Sequence, residues 1–554
     1  MIEKFLAVVF LLKCLNYLDA IDDGYREQSH PEGDYYVVGV VEFRPELLNM
    51  DIATRTGIHL QAYKELMRSE EAKLTDIVVF PELTLNTLMD PIPVPDPQDA
   101  IIPCVQDSPD LLAQLSCLAI ETGKYIVINL SESFDCDSLP PEDLRPCDPA
   151  AYHRYNTNVV FDRNGTLVAR YRKFNIFREP GTSVTFRPEI VTFDTDFGVT
   201  FGVFTCFDLL FAEPALELVK HGVKDFVFPA MWVSEPPFLT AVQIFESWAY
   251  GNHVNLIAAG TNYDPAGSTG TGVFNGRNGA VFGFITGEPT RKLFPVRVPK
   301  IHGSLAPNTV LSDNSEIVSG RPEGNFLENI VMGQDFLDRF STVVIKPEQV
   351  HQDFNRTLCN GDFCCDFRVS FSTDFHRNIS HRYRLAVFDG VRTFQGYADA
   401  HVTICGIITC RNESLASCGL PMYENSHFFE FDQISISGDF IANGTLAMPS
   451  SLDDKFHSLD ADRYLFHSTV DYPSDRQHVQ LTLAGTTDDL QTFAIYAFNH
   501  EGFEFFNPKL PPQEITTTTE RGTTAEDDGD GASAMRRASG LKLIITIYNQ
   551  VYNT

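Results

Sequence analysis

The chain has 554 residues, 43% of them hydrophobic, and 42 Lys+Arg against 74 Asp+Glu give a net charge of −32. That length predicts two to four domains, and the apolar share excludes a wholly disordered chain. So acidic a body repels phosphate backbones and anionic membrane surfaces, which excludes nucleic acid and heparin-type ligands and leaves a protein acting on small molecules.

Residues 1–20 carry Lys4 ahead of an apolar stretch that is interrupted by Lys13 and closed by Ala20. This is the shape of a secretory signal peptide, too short and broken for a membrane span. No later stretch reaches the roughly 20 apolar residues of a transmembrane helix. Six Asn-x-Ser/Thr acceptors fit export: Asn129, Asn164, Asn355, Asn378, Asn412 and Asn443. Asn129 sits in an apolar strand-like run, so only some of the six are expected to carry glycan.

From about Asp34 to Pro299 the pattern alternates strands and helices, within a first domain expected over residues 34–330. Tyr35–Phe43 is a continuous apolar strand, followed by a helix over Ile52–Leu74 and a strand Asp76–Phe80. Ser108-Pro109 starts a helix that ends near Gly123, and Tyr125–Leu130 is the next strand. Tyr155–Asp162 and Thr166–Lys173 flank Arg163-Asn164-Gly165, which predicts a hairpin. Further strands fall at Val199–Thr205, Asp225–Phe228 and Asn255–Ala259, with helices over Glu213–His221 and Leu239–Gly251. Continuous apolar strands predict a sheet covered on both faces, hence an α/β domain.

Residues 331–510 carry short strand patterns, six cysteines and four of the six acceptors, a β-rich second domain stapled by disulfides. No CxxC pair occurs there, and neither a metal site nor a cofactor is expected. Residues 511–554 form a Thr-rich acidic tail. Within it Asp530-Gly531-Ala532, a polar spacer and apolar Leu541–Tyr548 resemble a lipid-anchor attachment signal, with Asp530 as the attachment candidate.

Twelve cysteines, with Cys14 inside the leader, leave an odd number for an oxidising compartment. Cys104 with Cys117, and Cys136 with Cys147, close short loops and are candidate bridges. The six of the second domain pair among themselves in one of fifteen ways. Cys206 is left over. It follows a buried strand and precedes a helix, so it is presented at a strand's carboxyl end, where the helix start is expected to favour the thiolate. Glu82, after the strand that ends in Phe80-Pro81, and Lys173, at the end of the hairpin's second strand, share that context. Taken singly each has a plain structural reading: an inert core cysteine, a first-turn acid, a solvated lysine. Together they supply a nucleophile, a base and a cation.

These residues resemble the Glu-Lys-Cys triad of the nitrilase superfamily of carbon–nitrogen hydrolases. The motif Thr205-Cys206-Phe207-Asp208-Leu209-Leu210-Phe211 with Pro214-Ala215 resembles its secreted vanin/biotinidase branch. So do Tyr155–Asp162, Ile102-Pro103-Cys104 with Ser116–Ala119, Phe228–Trp232 and Ser247-Trp248-Ala249. Leu83 stands where the vertebrate vanins carry an acid. The resemblance implies an α-β-β-α sandwich followed by the smaller β-rich domain. It also implies an extracellular thiol amidohydrolase cleaving a pantetheine-like or biotinyl amide, with Cys206 as nucleophile, Glu82 as proton carrier and Lys173 as oxyanion stabiliser. The Phe207 N–H would be the second oxyanion donor, Trp232 a wall of the acyl pocket and Glu179 a support for Lys173. The competing expectations are acyl transfer to an amine and a catalytically silent ectodomain used as a scaffold. Gly267–Gly272 lacks the GK[ST] ending of a phosphate loop and is expected to form a pocket rim.

Overall fold

The computed structural model describes residues 29–504 apart from 47–49, 107–108, 140–142, 144, 148–151, 302–317, 319, 321–326, 328–329, 346–352, 373–380, 395–397 and 423–428. The leader, the Thr-rich tail with Asp530, Asn378 and Ser108 therefore lie outside the described residues.

Thirteen strands build the first unit: β1 (Tyr35–Phe43), β2 (Ile77–Val79), β3 (Ile92–Pro93), β4 (Tyr125–Asp135), β5 (Tyr152–Phe161), β6 (Leu167–Arg172), β7 (Thr192–Asp194), β8 (Thr200–Val203), β9 (Asp225–Ala230), β10 (Asn255–Gly260), β11 (Thr271–Asn275), β12 (Ala280–Phe284) and β13 (Arg291–Pro299). They form two sheets, ordered β13-β1-β2-β4-β5-β6 with β3 on β4, and β12-β11-β10-β9-β8-β7. Parallel pairs lie at the centre of each sheet and antiparallel pairs at the edges.

Side-chain alternation explains why the strands read as unbroken apolar runs. Tyr36, Val38, Val40, Ile77, Val79 and Val127 pack in one core with Phe201, Val203 and Val227 of the facing sheet. Val41, Val78, Ile126 and Ile128 pack outward with Leu60 and Tyr63 of α1 (Ile52–Met67) and Leu115 and Leu118 of α3 (Leu111–Thr122). On the far side Phe228 and Phe226 meet Phe245 and Trp248 of α5 (Ala241–Asn252). The layers are α-β-β-α.

Local chemistry moves several predicted boundaries. The expected helix over 52–74 is two: Ser69 accepts from the Ala72 N–H at 3.2 Å and starts α2 (Glu70–Lys73) afresh. The cap of α3 is Asp110, accepting from Ala113 at 2.8 Å, and Gly123 ends it at φ 63°. The helix expected over 213–221 is a wide turn, Ala212–Leu216, running into α4 (Glu217–Lys220).

The second unit stacks two antiparallel five-stranded sheets. One orders β14 (Ser341–Ile345), β17 (Arg382–Phe394), β18 (Ala398–Cys410), β23 (Leu490–Glu504) and β20 (Thr445–Asp453). The other orders β15 (Phe354–Asn360), β16 (Phe363–Phe371), β19 (Phe431–Ile441), β22 (Arg476–Leu483) and β21 (Tyr464–Asp471). Cys365–Cys405 ties the two sheets together, Cys359–Cys364 closes the β15–β16 hairpin, and Cys410–Cys418 fastens the end of β18. The outer face of the first sheet does not meet solvent. Ala386, Phe388, Phe394, Ile404, Ala494 and Phe498 belong to the same core as the first unit's sandwich. No helix among the described residues is long and apolar enough to cross a membrane.

Candidate active site

Three chain segments that end strands bring Glu82, Lys173 and Cys206 together, and all three side chains are buried. Glu82 follows β2 by three residues. Its Oε1 accepts from Lys173 Nζ at 2.7 Å and from Asn156 Nδ2 at 2.8 Å, and its Oε2 from the Met231 N–H at 2.7 Å. The Cys206 thiol lies within the electrostatic reach of Glu82, Lys173 and Glu179. Lys173 is not the solvated strand end that its sequence context suggests: it is 1% exposed and donates also to Glu179 Oε1. Glu179 Oε2 accepts from Asn156 Nδ2 at 2.8 Å, so Asn156 bridges the two carboxylates.

Electrostatics set the resting protonation. Burial works against the Lys173 charge, but Glu179 and Glu82 outweigh it and hold the ammonium well above the ordinary lysine pKa. Burial pushes the Cys206 thiol well above its usual value, with Glu82 adding to the effect and Lys173 opposing it. This corrects the expectation of a thiolate held by a helix start. The five-residue 3₁₀ turn beginning at Cys206 does not offset two buried carboxylates, and the resting sulfur is protonated.

The backbone at Cys206 is held in an unusual conformation. Cys206 has φ 44°, in the left-handed region that costs a residue with a Cβ on the order of 1–3 kcal/mol unless its surroundings enforce it. Asp208 supplies part of that enforcement. Its oxygens accept from the Thr205 N–H at 3.0 Å, from Asn175 N–H and Nδ2 each at 2.8 Å, and from Tyr171 Oη at 2.7 Å. The turn before Cys206 and the loop after Lys173 are thereby pinned to one carboxylate. Burial raises the Asp208 pKa and Lys173 moderates that rise.

Cys206 is the free cysteine among the described residues, and the other ten form five bridges, Cys104–Cys117 and Cys136–Cys147 included. No group of His, Cys, Asp and Glu that could hold a metal ion occurs among the described residues.

Comparison with known proteins matches residues 38–268 to the Carbon-nitrogen hydrolase family and residues 330–502 to the Vanin C-terminal domain. Vanin-like protein 1 of Drosophila melanogaster is 37% identical over 84% of this chain and 86% of its own. The chain belongs to the vanin-like branch of the nitrilase superfamily. Pantetheinase of Homo sapiens is 34% identical over 63% of this chain and 65% of its own, and Biotinidase of Takifugu rubripes 29% identical over 70% and 79%. This vanin-like chain is accordingly a hydrolase of carbon–nitrogen bonds other than peptide bonds, acting on linear amides.

In this vanin-like site Trp232 follows Met231, whose N–H holds Glu82. Its indole N–H donates to the Leu239 carbonyl at 3.1 Å, and its ring lies edge-on to Phe245. Gly267–Gly272, expected as a pocket rim, closes instead over a buried acid. Glu42 accepts from Thr269 Oγ1 at 2.6 Å, from Asn262 Nδ2 at 3.1 Å, from the Gly270 N–H at 3.4 Å and from Thr271 Oγ1. Thr261, beside Asn262, donates to the Glu82 carbonyl, so this cradle supports Glu82 from behind. Glu42, Asn156 and Asp208 escape the sequence reading. The available signal was an acid inside the apolar run of β1, and an acid two residues after an unpaired cysteine.

One glycosylation candidate is withdrawn. Asn129 is fully buried, donating through Nδ2 to Asn156 Oδ1 at 2.6 Å and Asn158 Oδ1 at 2.9 Å and accepting from the Leu83 N–H at 2.8 Å. Asn164, Asn355, Asn412 and Asn443 are exposed.

Proposed function

We infer that this chain is an extracellular amidohydrolase that cleaves a pantetheine-like or biotinyl amide through a thioester on Cys206. The observation that carries the reading is the unbridged, buried Cys206 thiol within electrostatic reach of the hydrogen-bonded Lys173–Glu82 pair, in a chain whose other described cysteines are all oxidised. Five disulfides and four exposed glycan acceptors support an oxidising, exported setting. The relatives named pantetheinase and biotinidase support the substrate class. An assembled acid–ammonium–thiol cluster gives no support to a silent scaffold.

The steps follow from the protonation states. The Cys206 proton passes to Glu82 as the sulfur attacks the amide carbon, so negative charge moves from the Glu82 carboxylate onto the substrate oxygen. The Lys173 ammonium faces that oxyanion, with the Phe207 N–H as second donor, each worth about 3–4 kcal/mol in such roles. Collapse breaks the C–N bond, and Glu82 returns its proton to the departing amine. Water then attacks the thioester, giving its proton to Glu82, and the acid leaves as the thiol is restored.

Purified protein is assayed on pantetheine and biocytin, with acyl-enzyme trapped for intact mass. The expected result is turnover of one of them, an acyl adduct on Cys206, and no turnover by Cys206→Ala. Full turnover by Cys206→Ala overturns the reading.

A further inference from the structure

Phe207, the residue after the candidate nucleophile, sits inside a ring of aromatic side chains. Phe177 lies 4.7 Å from its ring centroid and Phe211 5.0 Å. The remaining wall comes from the second unit: Phe394, at the end of β17, meets Phe207 edge-on at 5.9 Å and is 3% exposed. Phe394 is itself held by its own strand. The Arg392 guanidinium lies over its ring at 4.4 Å. That guanidinium donates to Asp335 Oδ1 and Oδ2 at 3.0 and 3.1 Å and to Glu235 Oε2 at 2.7 Å. Glu235 lies on the segment that begins with Met231, the donor to Glu82. One buried ion network therefore joins the second unit to the segment behind the base, while one ring from the same strand touches the residue behind the sulfur.

We propose that Phe394 is a positioning residue for the reaction: the second unit holds the Cys206–Phe207 turn in its left-handed conformation and so sets the aim of the sulfur and of the Phe207 N–H. The proposal rests on the nucleophile reading above. Its physical basis is that a strained φ persists only where neighbours over-determine it. Asp208 fixes the turn through hydrogen bonds on one side, and the Phe207 ring, boxed by Phe177, Phe211 and Phe394, fixes it on the other. Opening one wall of that box lets the ring rotate and the strained peptide relax. A misplacement of about 1 Å in such a geometry costs on the order of 100-fold in rate.

The test compares Phe394→Ala and Phe394→Leu with Phe340→Leu. Phe340 stacks on Phe238 at 5.9 Å in the same shared core and makes no ring contact with Phe207. For each protein, kcat is normalised to titrated Cys206, and the alkylation rate of that thiol by iodoacetamide is measured beside KM and the unfolding midpoint. Phe394→Ala is expected to lower kcat per thiol about 100-fold with KM within about twofold, to change the alkylation rate, and to leave Phe394→Leu in between. Phe340→Leu is expected to lower the midpoint and leave kcat per thiol alone. If Phe394→Ala does not fold, Phe394→Leu carries the comparison. Unchanged kcat per thiol and unchanged alkylation in the folded Phe394 variants overturn the proposal. A Cys206→Ala protein that still turns over overturns the underlying reading instead, whatever the Phe394 variants do.

Discussion

Glu179→Gln is the most informative single change in the acid–ammonium–thiol cluster, because it removes one charge while keeping the shape. In the native site Lys173 is shared between Glu82 and Glu179, and Asn156 spans both carboxylates. A glutamine offers Lys173 a carbonyl only by turning its NH₂ toward the Asn156 amide, or the reverse, so one contact becomes donor against donor. One charge-assisted hydrogen bond is worth about 1.5–3 kcal/mol, which corresponds to roughly tenfold to 100-fold in rate if it aligns the reacting groups. The thiol responds in a direction that a structural defect does not imitate. Glu179 is among the charges that raise the Cys206 pKa, so its neutralisation lowers that pKa, and alkylation by iodoacetamide begins at lower pH. Lys173, released to Glu82 alone, ties down the base, so kcat falls even as the thiol becomes easier to ionise. The assay is kcat and KM on the cleaved amide together with the pH profile of alkylation. A variant with native kcat, or one whose alkylation profile stays where it was, refutes the account of Glu179.

Asp208→Asn leaves one oxygen for four donors; two lost buried hydrogen bonds at about 1–3 kcal/mol each are expected to lower unfolding stability by about 2–6 kcal/mol and to depress kcat per folded thiol, as read by denaturant titration and kinetics. Cys206 also imposes a pH dependence on folding. Its thiol pKa is raised in the native state, so the native chain keeps a proton that the unfolded chain releases above about pH 8.5. The contribution is whole below that pH and is lost as pH rises toward the native pKa. The stability difference between wild type and Cys206→Ala is therefore expected to fall by up to about 1.4 kcal/mol per pH unit between about pH 8.5 and 10, and a flat difference refutes it. Peptide mapping after enzymatic deglycosylation is expected to find modified Asn at 164, 355, 412 or 443 and none at Asn129; glycan on Asn129 contradicts its burial.

How much was legible follows from what a linear pattern records. β1 and β4 show as apolar runs because both their faces are covered, and that cover is a property of each residue alone. Lys173, taken singly, reads as a solvated strand end for the opposite reason. Its burial depends on Glu82 and Glu179, of which Glu82 lies 91 residues away in the chain. Cysteine parity isolated Cys206 because disulfide pairing is arithmetic, whereas its protonation state depends on two carboxylates whose positions only the fold reveals. The shared core between the units left no local trace either: Phe394 and Phe498 read as ordinary strand residues, and only the stacking of their sheet against the sandwich shows what they cover.

The resting state of the cluster has a consequence for how the fold serves the chemistry. Burial of the sulfur, with Glu82 adding to its effect, keeps the thiol protonated and so less open to oxidation by the surroundings that close every other described cysteine. Reactivity must then be created by the substrate. In the mechanism we propose, an amide carbonyl occupies the space before Lys173, the developing oxyanion supplies a partner for the ammonium, Lys173 loosens its hold on Glu82, and the freed carboxylate becomes a better acceptor for the thiol proton. On that proposal nucleophile activation and oxyanion stabilisation are one coupled event, and neither Glu82 nor Lys173 is poised for its part without the other.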